Sequence, residues 1–295
     1  MRFHDIVSQS AFRRGEDDWD YIICARHNPL DLKLREVYRY RDLLYMLVKR
    51  DFVAVYKQTI LGPLWFFIQP LLTTLVFTVI FGRLAQISTD GIPPVLFYLA
   101  GITCWNYFAS CLTATSTTFR DNQGIFGKVY FPRLVVPLSI VASNLIKFFI
   151  QFLMFLGIYF YFLFFTGAPV QPNFHWMLLP LLVFMMAGLA LGFGLIITSM
   201  TTKYRDLVFL LSFGIQLYMY ATPVIYPLSS LPPEKRFWLV LNPMTSIIET
   251  FKFGFLGRGT FNWAHLGYSL FFMCCLLLAG VVVFNRTEKN FMDTV

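Results

Sequence analysis

Residues 120–137 read RDNQGIFGKVYFPRLVVP and separate two long apolar runs. The stretch combines Arg120, Lys128 and Arg133 with an apolar pair, Ile125 and Phe126, and two prolines, whereas almost everything on either side is compatible with hydrocarbon. A short basic break between two such runs is what a loop joining membrane spans requires, so its reading decides the fold class.

Composition agrees with that reading. The 295 residues are 57% hydrophobic and only 14% charged, and mean hydropathy is +0.61. An ordinary soluble domain has roughly 25% charged residues. The expected class is an all-α integral membrane protein. The net charge of +8 collects beside apolar spans, as anionic lipid and membrane orientation require, so lipid and not nucleic acid is the partner it predicts. Cys24, Cys104, Cys111, Cys274 and Cys275 form no CxxC pair and have no accompanying histidine spacing, so neither a disulfide nor a metal site is expected. The first sixty residues hold many charges and no continuous apolar core, and no cleavable signal peptide is expected there.

Residues 1–30 mix charges without a clear period and read as a soluble extension. From Asp31 to residue 61 the pattern is helical: Leu34, Val37, Leu44, Leu47 and Val48 recur at three and four, and Arg35, Arg39, Arg41, Lys49 and Arg50 fall largely on other faces. That pattern predicts a basic amphipathic helix in the membrane interface. Gly62-Pro63 should end it, because proline suits a first helical turn and restricts the residue before it.

Residues 62–295 then read as a six-span transmembrane domain. The spans are expected over residues 64–81 (kinked at Pro70), 95–118, 138–165, 176–200, 207–225 and 265–284, each near the ~20 residues that cross ~30 Å of hydrocarbon. Thr113, Thr115, Ser116, Thr117 and Thr118 make the end of the second span hydroxyl-rich, so that face should meet protein or water. Gly188 and Gly192 stand at GxxxG spacing for close helix packing. Between the fifth and sixth spans, residues 227–262 contain two brief apolar helical patches that fit re-entrant helices dipping into the outer leaflet. Six spans put both termini on one side. Lysine and arginine are concentrated in the amino-terminal region, residues 120–137, Lys203 with Arg205, and the tail, which predicts that this side is cytoplasmic.

The residues offer no catalytic constellation. Gly124-Ile-Phe-Gly127-Lys128-Val129 superficially resembles a phosphate-binding loop, but the first glycine is misplaced and valine stands where a hydroxyl would hold Mg²⁺. The chain is therefore expected to bind no ATP or other cofactor itself. Asn144, Lys147 and Gln151 share one face of the third span, suited either to packing and snorkelling or to lining a pathway. Glu249 and Lys252, at i and i+3, are placed to pair locally or to form an outer gate. Phe66, Gln69, Thr73 and Phe77 in the first span, and Phe209, Phe213, Gln216 and Tyr220 in the fifth, make mixed aromatic and polar faces of the kind that stack on sugars.

Several separated stretches carry a family resemblance: RYRDLLYMLVKRDFVAVYKQTILGPLWFFIQPLL from Arg39, GIFGKVYFPRLVVPLS from Gly124, YRDLVFLLSFGIQLYMYATPVIYPLSSLP from Tyr204, LNPMTSIIETFKFGFLG from Leu241, and the ending EKNFMDTV. Together, over residues 30–295, they resemble the membrane subunit of type-2 ABC exporters, and within these the permeases for O-antigen, capsule or teichoic-acid polysaccharide. The resemblance implies a homodimer in the bacterial inner membrane carried by two separate P-loop ATPase subunits, which hold the ATP and Mg²⁺, and a lipid-linked polysaccharide as cargo. It implies coupling helices near residues 124–133 and 201–206, with Ile125, Phe126, Lys128, Tyr130, Arg133, Tyr204, Arg205 and Asp206 as coupling residues. The first and fifth spans would line the channel and the re-entrant segment would narrow its outer mouth. Two alternatives are a type-2 exporter of drugs or small lipids, and a membrane-embedded glycan-modifying enzyme.

Overall fold

The computed structural model describes residues 34–294 except 58, 130 and 205. The soluble extension, Tyr130 and Arg205 therefore lie outside the described residues. Among those described there are helices and turns and no strand.

The amphipathic region forms a short helix, α1 (Leu34–Arg39), and a longer one, α2 (Arg41–Tyr56). Leu43, Leu44, Leu47, Val48, Asp51, Phe52 and Val53 are covered, largely at helical spacing, while Tyr45, Met46, Lys49 and Arg50 are exposed. The covered face packs on protein: Leu47 joins a core cluster with Phe119, Phe126 and Phe284. The helix ends at Tyr56, ahead of the break expected at Gly62-Pro63; Gly62 instead opens the next helical segment, and its φ of +47° is a left-handed conformation that favours glycine.

Among the described residues, five helical segments are long and apolar enough to cross a membrane: Gly62–Leu84, Pro94–Thr115, Val135–Phe165, Phe174–Thr201 and Trp263–Glu288. Their principal helices are α3 (Trp65–Phe77), α4 (Pro94–Thr115), α7 (Val135–Phe165), α8 (Leu179–Thr201) and α12 (Trp263–Thr294). Two single-turn helices, α5 (Thr118–Asp121) and α6 (Gln123–Phe126), lie in the loop between α4 and α7.

The central span is α4, most of whose residues are buried, whereas few are in the segment containing α3. It packs on α3, α7 and α8, and α8 packs on α12. The GxxxG residues serve that last contact: a Cβ on Gly280 would stand 2.7 Å from the Gly192 carbonyl oxygen, so the two backbones approach as only glycine permits. The hydroxyl-rich end of α4 also meets protein. Thr201 donates to the Ser116 carbonyl at 2.9 Å, and the Phe119 amide donates to the Thr198 hydroxyl at 3.2 Å.

The expected fifth span is shorter than the sequence pattern suggests. Its helix, α9 (Leu207–Tyr220), has 14 residues, or about 21 Å at 1.5 Å per residue, against ~30 Å of hydrocarbon. The apolar run continues to Ile225, but Pro223 lacks the amide that a further helical turn needs. Two helices follow, α10 (Pro233–Val240) and α11 (Pro243–Leu256). They coincide with the two apolar patches expected in this segment, and α11 is buried almost throughout against α4, α8 and α12.

Candidate functional site

The loop between α4 and α7 divides into a buried anchor and an exposed ridge. Phe119, Phe126 and Phe131 are buried, with Phe119 stacked on Phe284 of α12 at 4.6 Å and Phe126 5.7 Å from Phe131. The Arg133 guanidinium lies 5.5 Å from the centre of the Phe126 ring. Its Nη1 donates to the Glu288 carbonyl at 3.0 Å, and its Nε stands 3.8 Å from the Glu288 carboxylate. Burial lowers the Arg133 pKa and the Glu288 carboxylate opposes that shift. What remains at the surface is Arg120, Asp121, Gln123, Gly124, Ile125, Gly127, Lys128 and Val129.

This geometry corrects the expectation for Phe126. It cannot be a surface contact, because its ring is 4% exposed and serves the internal cluster. Arg133 is likewise turned inward to Glu288. Ile125, 39% exposed, and Lys128 keep the surface position expected of them, and Val129, 59% exposed, joins them unforeseen. A β-branched residue between lysine and tyrosine gives no signal of its own exposure. In the second loop Tyr204 and Asp206 are exposed, and the Lys203 ammonium lies 5.3 Å from the Tyr204 ring centre. The Thr201–Ser116 bond holds the bases of the two loops together, at one end of the bundle.

The aromatic faces separate in the same way. On α9, Phe209, Phe213, Gln216 and Tyr220 are all exposed on one side of a helix whose single buried residue is Ile215. On α3, Phe66 is buried and stacked on Phe52, and the half-buried Phe77 packs edge-on against Phe81 and Tyr98. Thr73 donates to the Gln69 carbonyl. The open face of α3 carries Trp65, Gln69, Leu72 and Val76. An open apolar groove of about 270 Å³, bounded by Phe108, Leu112, Phe193, Ile197, Leu211 and Tyr218, separates α9 from α4 and α8. The body of α9 is thus loosely seated.

Its far end is tied firmly, by a residue the sequence did not single out. The Asn242 side chain caps α11 by accepting from the Met244 amide at 2.9 Å and also accepts from the Tyr218 hydroxyl at 2.6 Å. Its amide donates to the Ala221 carbonyl and the Thr222 hydroxyl. An Asn-Pro pair ahead of an apolar run is a cap signature and could have been read as one.

Glu249 and Lys252 do not pair directly. No ion pair joins them among the described residues; the carboxylate accepts from the Thr260 amide at 3.0 Å, and the ammonium donates to the Pro223 carbonyl at 2.6 Å and rests 3.6 Å from the Phe97 ring centre. Lys252 therefore fixes the turn after α9 onto α4, and Glu249 fixes the loop after α11. On α7, Asn144, Lys147 and Gln151 do share a face: Lys147 donates to Asn144 at 3.0 Å, and Asn106 of α4 donates to Gln151 at 3.4 Å.

These features define a multi-pass helical membrane protein with two loops exposed at one end and a loosely packed helix beside them. Comparison with known proteins identifies the type. The chain belongs to the ABC-2 type transporter family, whose model matches residues 42–256. It is similar to an O-antigen export system permease protein of Myxococcus xanthus, 30% identical over 266 residues that cover 89% of this chain and 98% of the relative. A permease of the same description from Klebsiella pneumoniae is 30% identical, covering 85% and 94%. A capsule polysaccharide export inner-membrane protein of Neisseria meningitidis is 25% identical, covering 83% and 90%.

Proposed function

We propose that this chain is the transmembrane subunit of an ATP-driven exporter that carries a lipid-linked cell-surface polysaccharide, such as O-antigen, across the bacterial cytoplasmic membrane. The observation that carries the reading is the end-to-end similarity to O-antigen export permeases, in a chain with an exposed ridge at one end. Two copies pair through the open faces of α3 and α9, whose apolar surface exceeds what a single subunit covers. Two separate P-loop ATPase subunits bind beneath, with ATP and Mg²⁺ in them.

Ile125, Lys128 and Val129 of the first loop, with Tyr204 and Asp206 of the second, receive the ATPase. Both termini are cytoplasmic, following the lysine and arginine bias. The short α9 and the segment after it together make the fifth of six crossings, and α10 with α11 form a re-entrant pair whose backbone ends are satisfied by protein. Nucleotide-driven motion of the ridge shifts α9 along its groove. The bond from Tyr218 to Asn242 passes that motion to α11, and the path between subunits opens for the lipid head and the sugar chain behind it.

The test is deletion of the gene in its own bacterium, followed by separate measurement of surface and intracellular polysaccharide. Loss of surface glycan with accumulation of the lipid-linked form inside, restored by complementation, is expected. Unchanged surface glycan would overturn the assignment.

A further inference from the structure

Two buried oxygens on one face of α11 have nothing to bond. Thr245 and Glu249 lie at i and i+4 on that helix and are 0% and 1% exposed. Among the described residues the Thr245 hydroxyl and Glu249 Oε1 have no hydrogen-bond partner. The other carboxylate oxygen is engaged: Oε2 accepts from the Thr260 amide at 3.0 Å and from the Thr260 hydroxyl at 3.3 Å, and the Leu228 amide also approaches the carboxylate. A carboxylate oxygen shut away from water without a donor is costly, so Oε1 needs a partner that the chain does not supply.

Thr245 and Glu249 line the same small cavity, which Ser246, Thr250, Asn262 and His265 also border. Three of those four are already bonded elsewhere: Ser246 shares a hydrogen bond with Ser269 of α12 at 2.6 Å, Thr250 donates to the Ser246 carbonyl at 2.6 Å, and the Asn262 side chain accepts from the Ala264 amide at 2.8 Å. The volume open to the centre of a water-sized sphere is about 10 Å³, at the lower edge of the ~10–15 Å³ that one water needs. Asn262 is exposed and His265 half-buried, which gives water a way in from the surface.

We infer that this cavity binds one water molecule, which donates to Glu249 Oε1 and accepts from the Thr245 hydroxyl, and so completes the solvation of a buried carboxylate. Two bonds to otherwise orphaned groups are what a buried water makes, and the room is for one. The occupant is neutral. Lys252, at i+3 from Glu249 and buried with it, already acts on the carboxylate as the opposite charge, so a bound cation would leave surplus positive charge out of water. The bound water thereby supports the hold of Glu249 on Thr260, and with it the loop after α11. Transport is no part of its test, so this inference and the preceding reading can fail independently.

The experiment is thermal unfolding of the purified full-length protein and its Thr245→Val variant, beside a cryo-EM map of the unmodified protein at a resolution that shows ordered water. The sign of the Thr245→Val effect decides. If the hydroxyl holds a water, the isosteric change should lower Tm by about 2–4 °C, whereas removing a true orphan should leave Tm unchanged or raise it. Combined with Glu249→Gln, the loss should fall short of the sum of the two single losses, because both changes act on one water. Should Glu249→Gln fail to fold, the map stands in its place: a peak is expected within hydrogen-bond distance, about 2.5–3.2 Å, of both Glu249 Oε1 and Thr245 Oγ1. Unfolding in sodium chloride and in choline chloride should give the same Tm. An empty cavity, an unchanged or raised Tm in Thr245→Val, fully additive losses, or a stabilisation that requires sodium would overturn the proposal.

Discussion

Arg133 and Glu288 stand 155 positions apart in the chain and meet at the base of the exposed ridge, through one hydrogen bond to the Glu288 carbonyl and one longer contact to its carboxylate. The pair fastens the loop between α4 and α7 to the end of α12. Because the stronger contact is to the backbone, the two partners are unequal. Arg133→Ala should lower detergent-state stability by about 1–3 kcal/mol, whereas Glu288→Ala, which leaves the carbonyl in place, should cost less than half as much. Thermal or chemical unfolding of both variants and the double mutant measures this, and equal losses would show that the carboxylate dominates.

Replacing Phe126 and replacing Ile125 should have opposite signatures. Phe126→Ala empties a buried aromatic site and should cost about 3–5 kcal/mol, appearing as poor folding or low expression. Ile125→Asp and Val129→Asp alter exposed side chains and should leave Tm within about 1 °C while reducing association with the ATPase subunit. A pull-down with the cognate ATPase, run beside a melting curve, separates the two effects.

Asn242 joins three elements, so its two halves can be dissected. Asn242→Asp keeps the acceptor for the Met244 amide and the Tyr218 hydroxyl but loses the donors to Ala221 and Thr222. Asn242→Ala loses all of these, including a helix cap, and should cost about 2–4 kcal/mol, with the aspartate variant near half of that. If α11 relays the motion of α9, both variants should also slow export in proportion to their loss, which a surface-glycan assay would register.

Two glycine-to-alanine changes test the α8–α12 contact against intrinsic helix preference. At Gly280 the new Cβ would press on the Gly192 carbonyl oxygen, and a loss of about 1–3 kcal/mol is expected. At Gly157, where a Cβ meets nothing within 4 Å, the same change should be neutral or stabilising by about 0.5–1 kcal/mol. Unfolding of the two single variants is sufficient.

Much of the fold was legible because hydropathy and break signals act locally. The run from Leu138 to Phe165 and the GxxxG pair each state their own consequence. What was illegible depends on which side of a helix or loop faces inward. Phe66 and Phe77 are as aromatic as Phe209 and Phe213, and only the neighbours Phe52 and Tyr98 turn the first pair inward. Ile125 and Phe126 are adjacent apolar residues of which one is buried by Phe119 and Phe131, contacts no spacing announces. The length of α9 was misjudged for a related reason, since residues up to Ile225 stay apolar after Pro223 has ended the helix. Glu249 and Lys252 looked like a pair at i and i+3, yet each found a better partner in a segment more remote along the chain.

The most direct measurement is translocation itself, in proteoliposomes that contain this chain, its ATPase subunit and a lipid-linked O-antigen-type glycan placed on the outside face, where the ATPase is accessible. With ATP and Mg²⁺, glycan should become protected from an external glycosidase, and protection should vanish with Ile125→Asp while the protein remains folded. Glycan that stays digestible in the presence of ATP, or protection that proceeds equally without the ATPase subunit, would contradict the account.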